Sequence, residues 1–505
     1  MKKYAVLFSA FLAGCSTTVK DPPPPLSNTV SDTVMGTTSS WFADGQATMQ
    51  KKLNQKENKR RAKNVILFIG DGMGISTLTA GRILEGQMAG RSGEEGLLSF
   101  EAFPYTALVK TYNVDAQVPD SAGTASALNT GTKTRIGVIN TAPTHPQNVC
   151  KGMQKNAPIP FAYYAEQAGM STGIVSTARL THATPAAVYA HSPSRRWESD
   201  ADLTDEAREN GCVDIASQIT ADMGGDGLEV ALGGGRANFL PVGEGHGLRQ
   251  DKKNIPSLWT AGRKDARYIT SAQELDTIDY KNTNHLLGLF NDDHMTYNAM
   301  RPENEPSLAE MTEVAIKSLS KNKKGYYLMV EAGRIDHGHH AGNAFSALTE
   351  TAALSAAVKK ALELVDTKDT LILVTADHSH AFTMSGYPRR GNPILGLVAP
   401  TIGAGYDQED YTLAEDGKPY TTLGYQNGPG AIDGDREKLS QEEVLEPSFL
   451  QQSAYPLHSE THGGEDVALF AVGPWAHLVH GTIEQNLVFH IMDHALKLRK
   501  RAGKK

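Results

Sequence analysis

Short, continuous apolar runs recur along the chain, and they constrain its fold more than any other feature of the sequence. The first run, residues 65–69, is followed by Gly70, Asp71 and Gly72. Because it does not alternate with polar residues, it predicts a strand buried on both faces, as in a parallel sheet. Similar runs lie at 172–176, 228–232, 326–330, 370–375 and 467–472, with helix-like stretches at 307–320 and 344–364. We therefore predict an α/β fold, a three-layer α/β/α sandwich with a large, mostly parallel central sheet.

Charge and composition exclude several classes of protein. The 505 residues include 49 Lys and Arg against 57 Asp and Glu, which gives a net charge of −8. A chain of this charge has no basic footprint for nucleic acid, so we expect no nucleic-acid-binding surface. With 40% hydrophobic residues the chain can bury a sizeable core, which argues against global disorder. Three cysteines are too few for a disulfide-dense scaffold.

The first residues have the pattern of an export signal. Two lysines precede a short apolar stretch, and Leu12-Ala-Gly-Cys15 follows. That ending resembles a bacterial lipobox, which implies cleavage before Cys15 and a lipid on its thiol. The alternative is an ordinary signal peptide with an incidental cysteine. We expect an exported bacterial lipoprotein, anchored to the membrane in the periplasm or at the cell surface, since no later apolar run is long enough to span a bilayer.

The chain is predicted to contain one large domain with an insertion. The predicted segments are a signal peptide (1–14), a Pro-rich tether (15–40), the main α/β domain (41–382 and 460–496), an inserted subdomain (383–459) and a basic, solvated tail (497–505). If Cys15 carries lipid, Cys150 and Cys212 remain. They form either a disulfide or two separate buried thiols.

Acidic residues follow three of the predicted strands. Asp71 ends the first, Glu331 the fourth, and Asp377-His378 the fifth. Ligands of open α/β sheets collect beyond the carboxyl ends of the strands, so these side chains predict a metal site. A single Asp there would be explained as a helix cap, but three together are not.

Histidines supply further candidate ligands. Asp336 and His340 are four residues apart, so one helical turn places them on the same face. Together with His462, which precedes the last predicted strand, they offer the carboxylate and imidazole donors that suit zinc. The chain has 17 histidines, and several are expected to be ordinary structural or surface residues, namely His285, His294, His477, His480, His490 and His494.

Two segments are suited to an anion. In Pro119-Asp-Ser121-Ala-Gly, Ser121 is predicted to open a helix, where free amide groups attract negative charge. Taken alone, Asp-Ser is also an ordinary helix cap, and the chain lacks the G-x-S-x-G elbow of serine hydrolases. His182-Ala-Thr-Pro precedes Arg195 and Arg196, either of which can clamp a phosphate with its planar fork.

These motifs together resemble the alkaline phosphatase family, and its animal-type branch more than its enterobacterial type. The resemblance covers roughly residues 40–496 and rests on five segments in family order, 64–74, 118–125, 331–340, 375–380 and 462–468. It implies a metal-dependent hydrolase that cleaves phosphate monoesters through a phosphoserine. The alternatives are a phosphodiesterase or sulfatase of the same superfamily, or a non-catalytic lipoprotein that binds phosphate or metal.

The resemblance also implies roles for individual residues. Ser121 becomes the nucleophile and Arg195, rather than Arg196, the phosphate clamp, while His337 and His380 line the site. Two zinc ions and one magnesium ion are implied. One zinc ion is held by Asp336, His340 and His462, and the other by Asp71, Asp377 and His378. The magnesium ion is held by Asp71, Thr184 and Glu331, with His182 nearby. It further implies a Cys150–Cys212 disulfide, and a homodimer formed by the insertion and the N-terminal helix.

Overall fold

The structure, a computed structural model, describes residues 40–401 and 410–503. The chain divides into two compact units, residues 1–56 and 57–505. Of the first unit, the described part is helix α1 (Ser40–Leu53) with the residues after it, and no residue of α1 is buried. The predicted signal peptide, Cys15 and all but the last residue of the tether lie outside the described residues.

The second unit alternates strands and helices along most of its length. Its strands are β1 (Asn64–Gly70), β2 (Tyr105–Lys110), β3 (Ser171–Arg179), β4 (Val230–Gly234), β5 (Ala266–Ile269), β6 (His285–Leu289), β7 (Tyr326–Ala332), β8 (Thr370–Ala376), β9 (Ser379–His380), β10 (Phe382–Met384), β11 (Leu423–Gly428), β12 (Ser453–Pro456), β13 (His462–Gly463), β14 (Val467–Val472) and β15 (Thr482–Glu484). Its helices are α2 (Ile75–Met88), α3 (Ser121–Thr130), α4 (Phe161–Gln167), α5 (Ala183–Tyr189), α6 (Asp205–Glu209), α7 (Ile215–Gln218), α8 (Arg236–Phe239), α9 (Ile255–Ala261), α10 (Ala272–Asp276), α11 (Leu308–Leu319), α12 (Arg334–His340), α13 (Ala344–Leu364), α14 (Gln441–Val444), α15 (Leu487–Leu496) and α16 (Leu498–Arg501).

Ten strands form one sheet, which confirms the predicted fold class. Their order is β15-β2-β14-β8-β1-β7-β3-β4-β6-β5, and only β14 runs antiparallel to its neighbours. Every residue of β1, β7 and β8 at the centre is buried, as the unbroken apolar runs predicted. Helices pack in two groups, α13 with α2 and α11, and α3 with α5 and α15. Among the described helices, none is both long and apolar enough to cross a membrane.

The structure departs from the sequence-based expectations in three places. Strands β2, β5, β6 and β15 were not predicted, because short or partly exposed strands lack a long apolar run. The segment after Lys497 is not simply a solvated tail, since it forms α16 and buries Leu498 completely. The insertion carries its own small sheet, in the order β10-β11-β12.

Candidate active site

The register of the central strands brings the acidic residues together. β1 pairs in parallel with β7 and β8, so that Ile69 lies opposite Glu331 and Gly70 lies opposite Ala376. Asp71 and Asp377 therefore leave adjacent strands at the same edge, and both are fully buried, as is Glu331. Three predicted ligands that are far apart in sequence thus meet because three parallel strands end together.

Ser121 opens helix α3 beside these carboxylates. Asp120 caps the helix by accepting a hydrogen bond from the amide of Gly123 at 3.1 Å. The Ser121 hydroxyl lies 3.0 Å from Nε2 of His378 and donates to Oδ1 of Asp71 at 3.4 Å. The prediction that Ser121 stands at a helix N-terminus is confirmed, and its hydroxyl points toward the predicted ligands.

Asp71, Asp377 and His378 form the first group of candidate metal ligands. Nε2 of His378 lies 3.2 Å from Oδ1 of Asp71 and 3.5 Å from Oδ2 of Asp377. The amide of Gly72 donates to the other oxygen of Asp377 at 3.1 Å. Gly72 has a φ of 73°, and a side chain there would collide with His380, so this turn requires glycine.

Asp336, His340 and His462 form the second group. Both histidines place Nε2 at 3.3 Å from Oδ1 of Asp336, and the two Nε2 atoms are 3.2 Å apart. Their Nδ1 atoms lie 2.7 Å from the backbone carbonyls of Glu460 and Pro119 and so donate to them. This outer hydrogen bonding leaves the Nε2 lone pairs directed at the centre of the group, as in protein zinc sites.

The third group gathers around Glu331. Ligand atoms of Asp71, His182 and Glu331 lie within 4.8 Å of one another. Four buried polar atoms here have no hydrogen-bond partner among the described residues, namely Oε1 of Glu331, Oδ2 of Asp71, Oγ1 of Thr184 and Nδ1 of His182. Buried polar atoms are rarely left unpaired in native proteins. Their donor types therefore fit an oxygen-preferring cation at the position predicted for magnesium.

Crowding of carboxylates changes their acidity. Burial raises the pKa of Asp71 well above its usual range, and the charges of Asp377 and Asp336 raise it further. Burial also raises the pKa of Glu331 to about 7. Bound cations would offset this repulsion, so the electrostatics of the site also fit a metal centre.

Arg195 lies at the rim of the site, held by Asp120. Its Nη1 donates to Oδ2 of Asp120 at 3.0 Å, and its Nη2 lies 3.0 Å from Nε2 of His182. Burial raises the pKa of Asp120. The charge of Arg195 and hydrogen bonds from the amides of Gly137 and Gly123 lower it by more, so the pKa of Asp120 lies below its usual value. Ser121, Arg195 and the second group line one open cavity of about 790 Å³.

Two residues beside the site were not predicted to lie there. His294, predicted to be an ordinary residue, packs against His337 and His182, and Arg179 donates to its ring. It follows β6, one of the strands that the apolar pattern did not reveal. Glu460 was also missed. It accepts from Nδ1 of His380 at 2.6 Å.

The pairing of β9 with β13 brings the last predicted ligand into place. His462 lies directly opposite His380 in this antiparallel pair. Nε2 of His380 is 2.9 Å from Oδ1 of Asp336. His380 thus connects Glu460 to the second ligand group, in agreement with the expectation that it lines the site.

Cys150 and Cys212 form a disulfide, with an S–S distance of 2.12 Å. This confirms the bridge that the family resemblance implied and excludes two separate thiols. The bridge lies near Trp197, which follows Arg195 and Arg196 in the sequence.

Comparison with known proteins identifies the family. The model of the family described as alkaline phosphatase matches residues 62–498. The chain is 46% identical over 473 residues to the tissue-nonspecific isozyme of alkaline phosphatase from Gallus gallus, covering 90% of this chain and 88% of that protein. It is 43% identical over 471 residues to alkaline phosphatase from Gadus morhua, covering 90% and 96%. The chain belongs to the alkaline phosphatase family.

Members of this metal-dependent family are phosphoric monoester hydrolases, and the chain is such an enzyme. The similarity to animal enzymes confirms the branch that the motifs indicated. Solved alkaline phosphatases share the fold. The Thermus thermophilus enzyme superposes with a TM-score of 0.63 at 24% identity, covering 88% of this chain and 94% of that one. The enzyme of the Antarctic bacterium TAB5 gives 0.60 at 24%, covering 87% and 99%.

Proposed function

We propose that the chain hydrolyses a broad range of phosphate monoesters through a phosphoserine formed on Ser121. The observation that supports this most directly is the position of the Ser121 hydroxyl, 3.0 Å from His378 and beside Asp71 at the N-terminus of α3. Free amides of the first helical turn favour a phosphoryl group there. The open cavity leaves room for leaving groups of different shape, which accounts for broad specificity.

Two zinc ions and one magnesium ion are proposed as cofactors. One zinc ion would be held by Asp336, His340 and His462. The other would be held by Asp71, Asp377 and His378. Magnesium would be held by Asp71, Thr184 and Glu331 beside His182. When bound, such cations lower the pKa of a nearby hydroxyl and neutralise charge on the reacting oxygens.

The protein's own groups position the phosphate. Arg195, oriented by Asp120, presents its planar fork to two phosphoryl oxygens. The oxygen of Ser121 forms a bond to phosphorus while the bond to the leaving alcohol breaks. Water then cleaves the phosphoserine and releases orthophosphate, which restores the Ser121 hydroxyl.

Replacing the nucleophile tests this mechanism. We expect Ser121→Ala to reduce turnover of p-nitrophenyl phosphate by a factor of about 1,000 or more while leaving the metal content unchanged. Elemental analysis and initial rates measure the two quantities. Ser126→Ala, in the same helix but outside the cavity lining, should keep most of the activity. Wild-type rates in Ser121→Ala would exclude the proposed nucleophile.

Localisation is proposed from the sequence of the first residues. Leu12-Ala-Gly-Cys15 supports export and a lipid anchor on Cys15. We expect Cys15→Ala to move the protein from the membrane fraction to the soluble fraction of fractionated cells. Unchanged membrane association would contradict the lipid anchor.

A homodimer is proposed from the exposed apolar residues of α1. Trp41 and Leu53 are 68% and 65% exposed, and Phe42 and Met49 are also exposed. A second copy of the chain would cover such residues. Sedimentation of the protein at the mass of one chain would contradict this proposal.

A further inference from the structure

Basic side chains collect at the amino edge of the central sheet, where its parallel strands begin, opposite the edge that carries Ser121. Three segments supply them, residues 57–63 before β1, residues 321–324 before β7, and residues 497–501 in and just before α16. Together the segments contain eleven lysines and arginines and one acidic residue, Glu57. Since the whole chain has a net charge of −8, this positive charge is a local feature and not a general property of the protein.

Tertiary contacts bring the three segments side by side. Gly325 lies so close to the backbone carbonyl of Lys63 that a side chain at this glycine would collide with it. Nη2 of Arg501 donates to the carbonyl of Lys324 at 2.9 Å. Burial lowers the pKa of Arg501, and the nearby charge of Arg61 lowers it further. The three segments therefore form one basic surface.

Most cations of this surface have no carboxylate partner. Lys59 is paired with Glu57 at 2.6 Å, and Arg499 with Asp493 at 2.8 Å. Within residues 40–401 and 410–503, eight other cations of the three segments form no ion pair, namely Arg60, Arg61, Lys63, Lys323, Lys324, Lys497, Lys500 and Arg501. All of them except Arg501 are exposed. Exposed cations whose charge no carboxylate offsets attract an extended anionic partner.

The place of this surface in the chain favours an anionic lipid bilayer as the partner. Residues 57–63 lead directly into β1, so the chain enters the second compact unit at the basic edge. The proposed lipid anchor on Cys15 is therefore connected to the enzyme at this edge. Phospholipid headgroups form an extended anionic surface, to which each nearby lysine or arginine adds affinity. None of the three segments contains an aromatic residue on which the bases of a single-stranded nucleic acid would stack.

We propose that the basic surface at the amino edge docks onto bilayers that contain anionic phospholipids. The carboxyl edge with Ser121 then faces away from the bilayer, about 20 Å from the docked surface, since the seven residues of β1 rise about 3.3 Å each. Docking by charge gives the enzyme an orientation that the proposed lipid anchor alone does not provide. It needs no lipid on Cys15, so the two proposals are tested separately.

The test measures binding of the full chain to lipid vesicles. All variants carry Cys15→Ala, so that no lipid on the protein contributes, and the vesicles are phosphatidylcholine with or without phosphatidylglycerol. Arg61→Gln, Lys323→Gln and Lys500→Gln are combined, which removes one exposed cation from each segment. We expect this triple variant to lower the partition coefficient on anionic vesicles about 100-fold, since each cation near the surface contributes about fivefold. Added salt should weaken binding of the chain with all three cations.

A matched control removes the same charge elsewhere. Arg91→Gln, Lys151→Gln and Lys438→Gln combine one arginine and two lysines that are exposed and that also form no ion pair within the described part of the chain. This control should lower the partition coefficient less than about threefold. Equal losses in the two triple variants would overturn the docking surface, as would equal binding of the unsubstituted surface to neutral and anionic vesicles.

Turnover tests the orientation of the docked enzyme. Enzyme bound to anionic vesicles should hydrolyse p-nitrophenyl phosphate within about twofold of its rate in solution, because the cavity with Ser121 faces away from the lipid. A loss of turnover on binding that salt reverses would contradict this orientation. Binding to double-stranded DNA without binding to anionic vesicles would identify a nucleic-acid surface and overturn the proposal. Absence of turnover in solution would refute the proposed function of Ser121, while the partition coefficients would still decide the docking surface.

Discussion

The two edges of the central sheet both bury acidic side chains, but the edges differ in the hydrogen-bond partners that they offer to the carboxylate oxygens. At the carboxyl edge, Asp71 and Glu331 each leave one buried oxygen without a hydrogen-bond partner among the described residues. At the amino edge, Glu166 and Glu229 meet at the start of β3. The hydroxyl of Thr172 donates to Glu166 at 2.6 Å, and its amide donates to Glu229 at 2.6 Å.

This difference separates a site for a ligand from a structural cluster. Carboxylates that the protein itself satisfies need nothing further, whereas buried oxygens without partners carry a desolvation cost that a bound cation can offset. Burial raises the pKa of Glu166 to about 9, and the charge of Glu229 contributes. At the amino edge a protonated Glu166 next to Glu229, with hydrogen bonds from Thr172 to both, therefore avoids the repulsion without a cation.

The largest expected difference between the two edges is in how a Glu→Gln substitution changes the metal content. We expect Glu331→Gln to lose about one metal ion per chain and to reduce turnover of p-nitrophenyl phosphate about 10- to 100-fold, because it removes an anionic ligand. Elemental analysis of the purified protein together with initial rates measures both.

Glu166→Gln is the matched change at the opposite edge. It should leave metal content and turnover close to wild type, since the protein's own donors satisfy this carboxyl. If both variants lose metal, or neither does, the distinction between the two edges is wrong.

A smaller effect concerns stability at alkaline pH. In the unfolded chain Glu166 ionises near pH 4.5, whereas in the folded chain its pKa is about 9. Between these values the folded state retains a proton that the unfolded state has lost, so the unfolding free energy falls as pH rises. We expect Glu166→Gln to reduce this fall between pH 5 and pH 9 by about 1–3 kcal/mol.

Denaturant unfolding at several pH values measures this effect. The variant should be slightly less stable than wild type at pH 5 and more stable at pH 9, so the two curves cross. Glu303→Gln, at an exposed position, should leave the slope unchanged. Parallel curves for wild type and Glu166→Gln would show that this carboxyl is already ionised at neutral pH.

Much of the fold was predictable because its central strands are buried on both faces. The run at 467–472 coincides with β14, and the stretch 344–364 coincides with α13. Strands near the two ends of the sheet were harder to predict from the sequence. β5 is only partly buried, and its four residues form no long apolar run. The place of His294 beside the site was not foreseen, because it follows the unpredicted strand β6, which is only five residues long.

By itself, the sequence determined the fold class and the family and supplied the candidate site residues, because buried strands and ligand motifs are local patterns. Only the tertiary structure decided which of these residues meet. Asp71 and Asp377 are neighbours because β1 and β8 pair in register, and His462 reaches Asp336 because β13 pairs with β9. Spatial proximity between distant segments is fixed by strand pairing and packing, and no local pattern in the sequence specifies it.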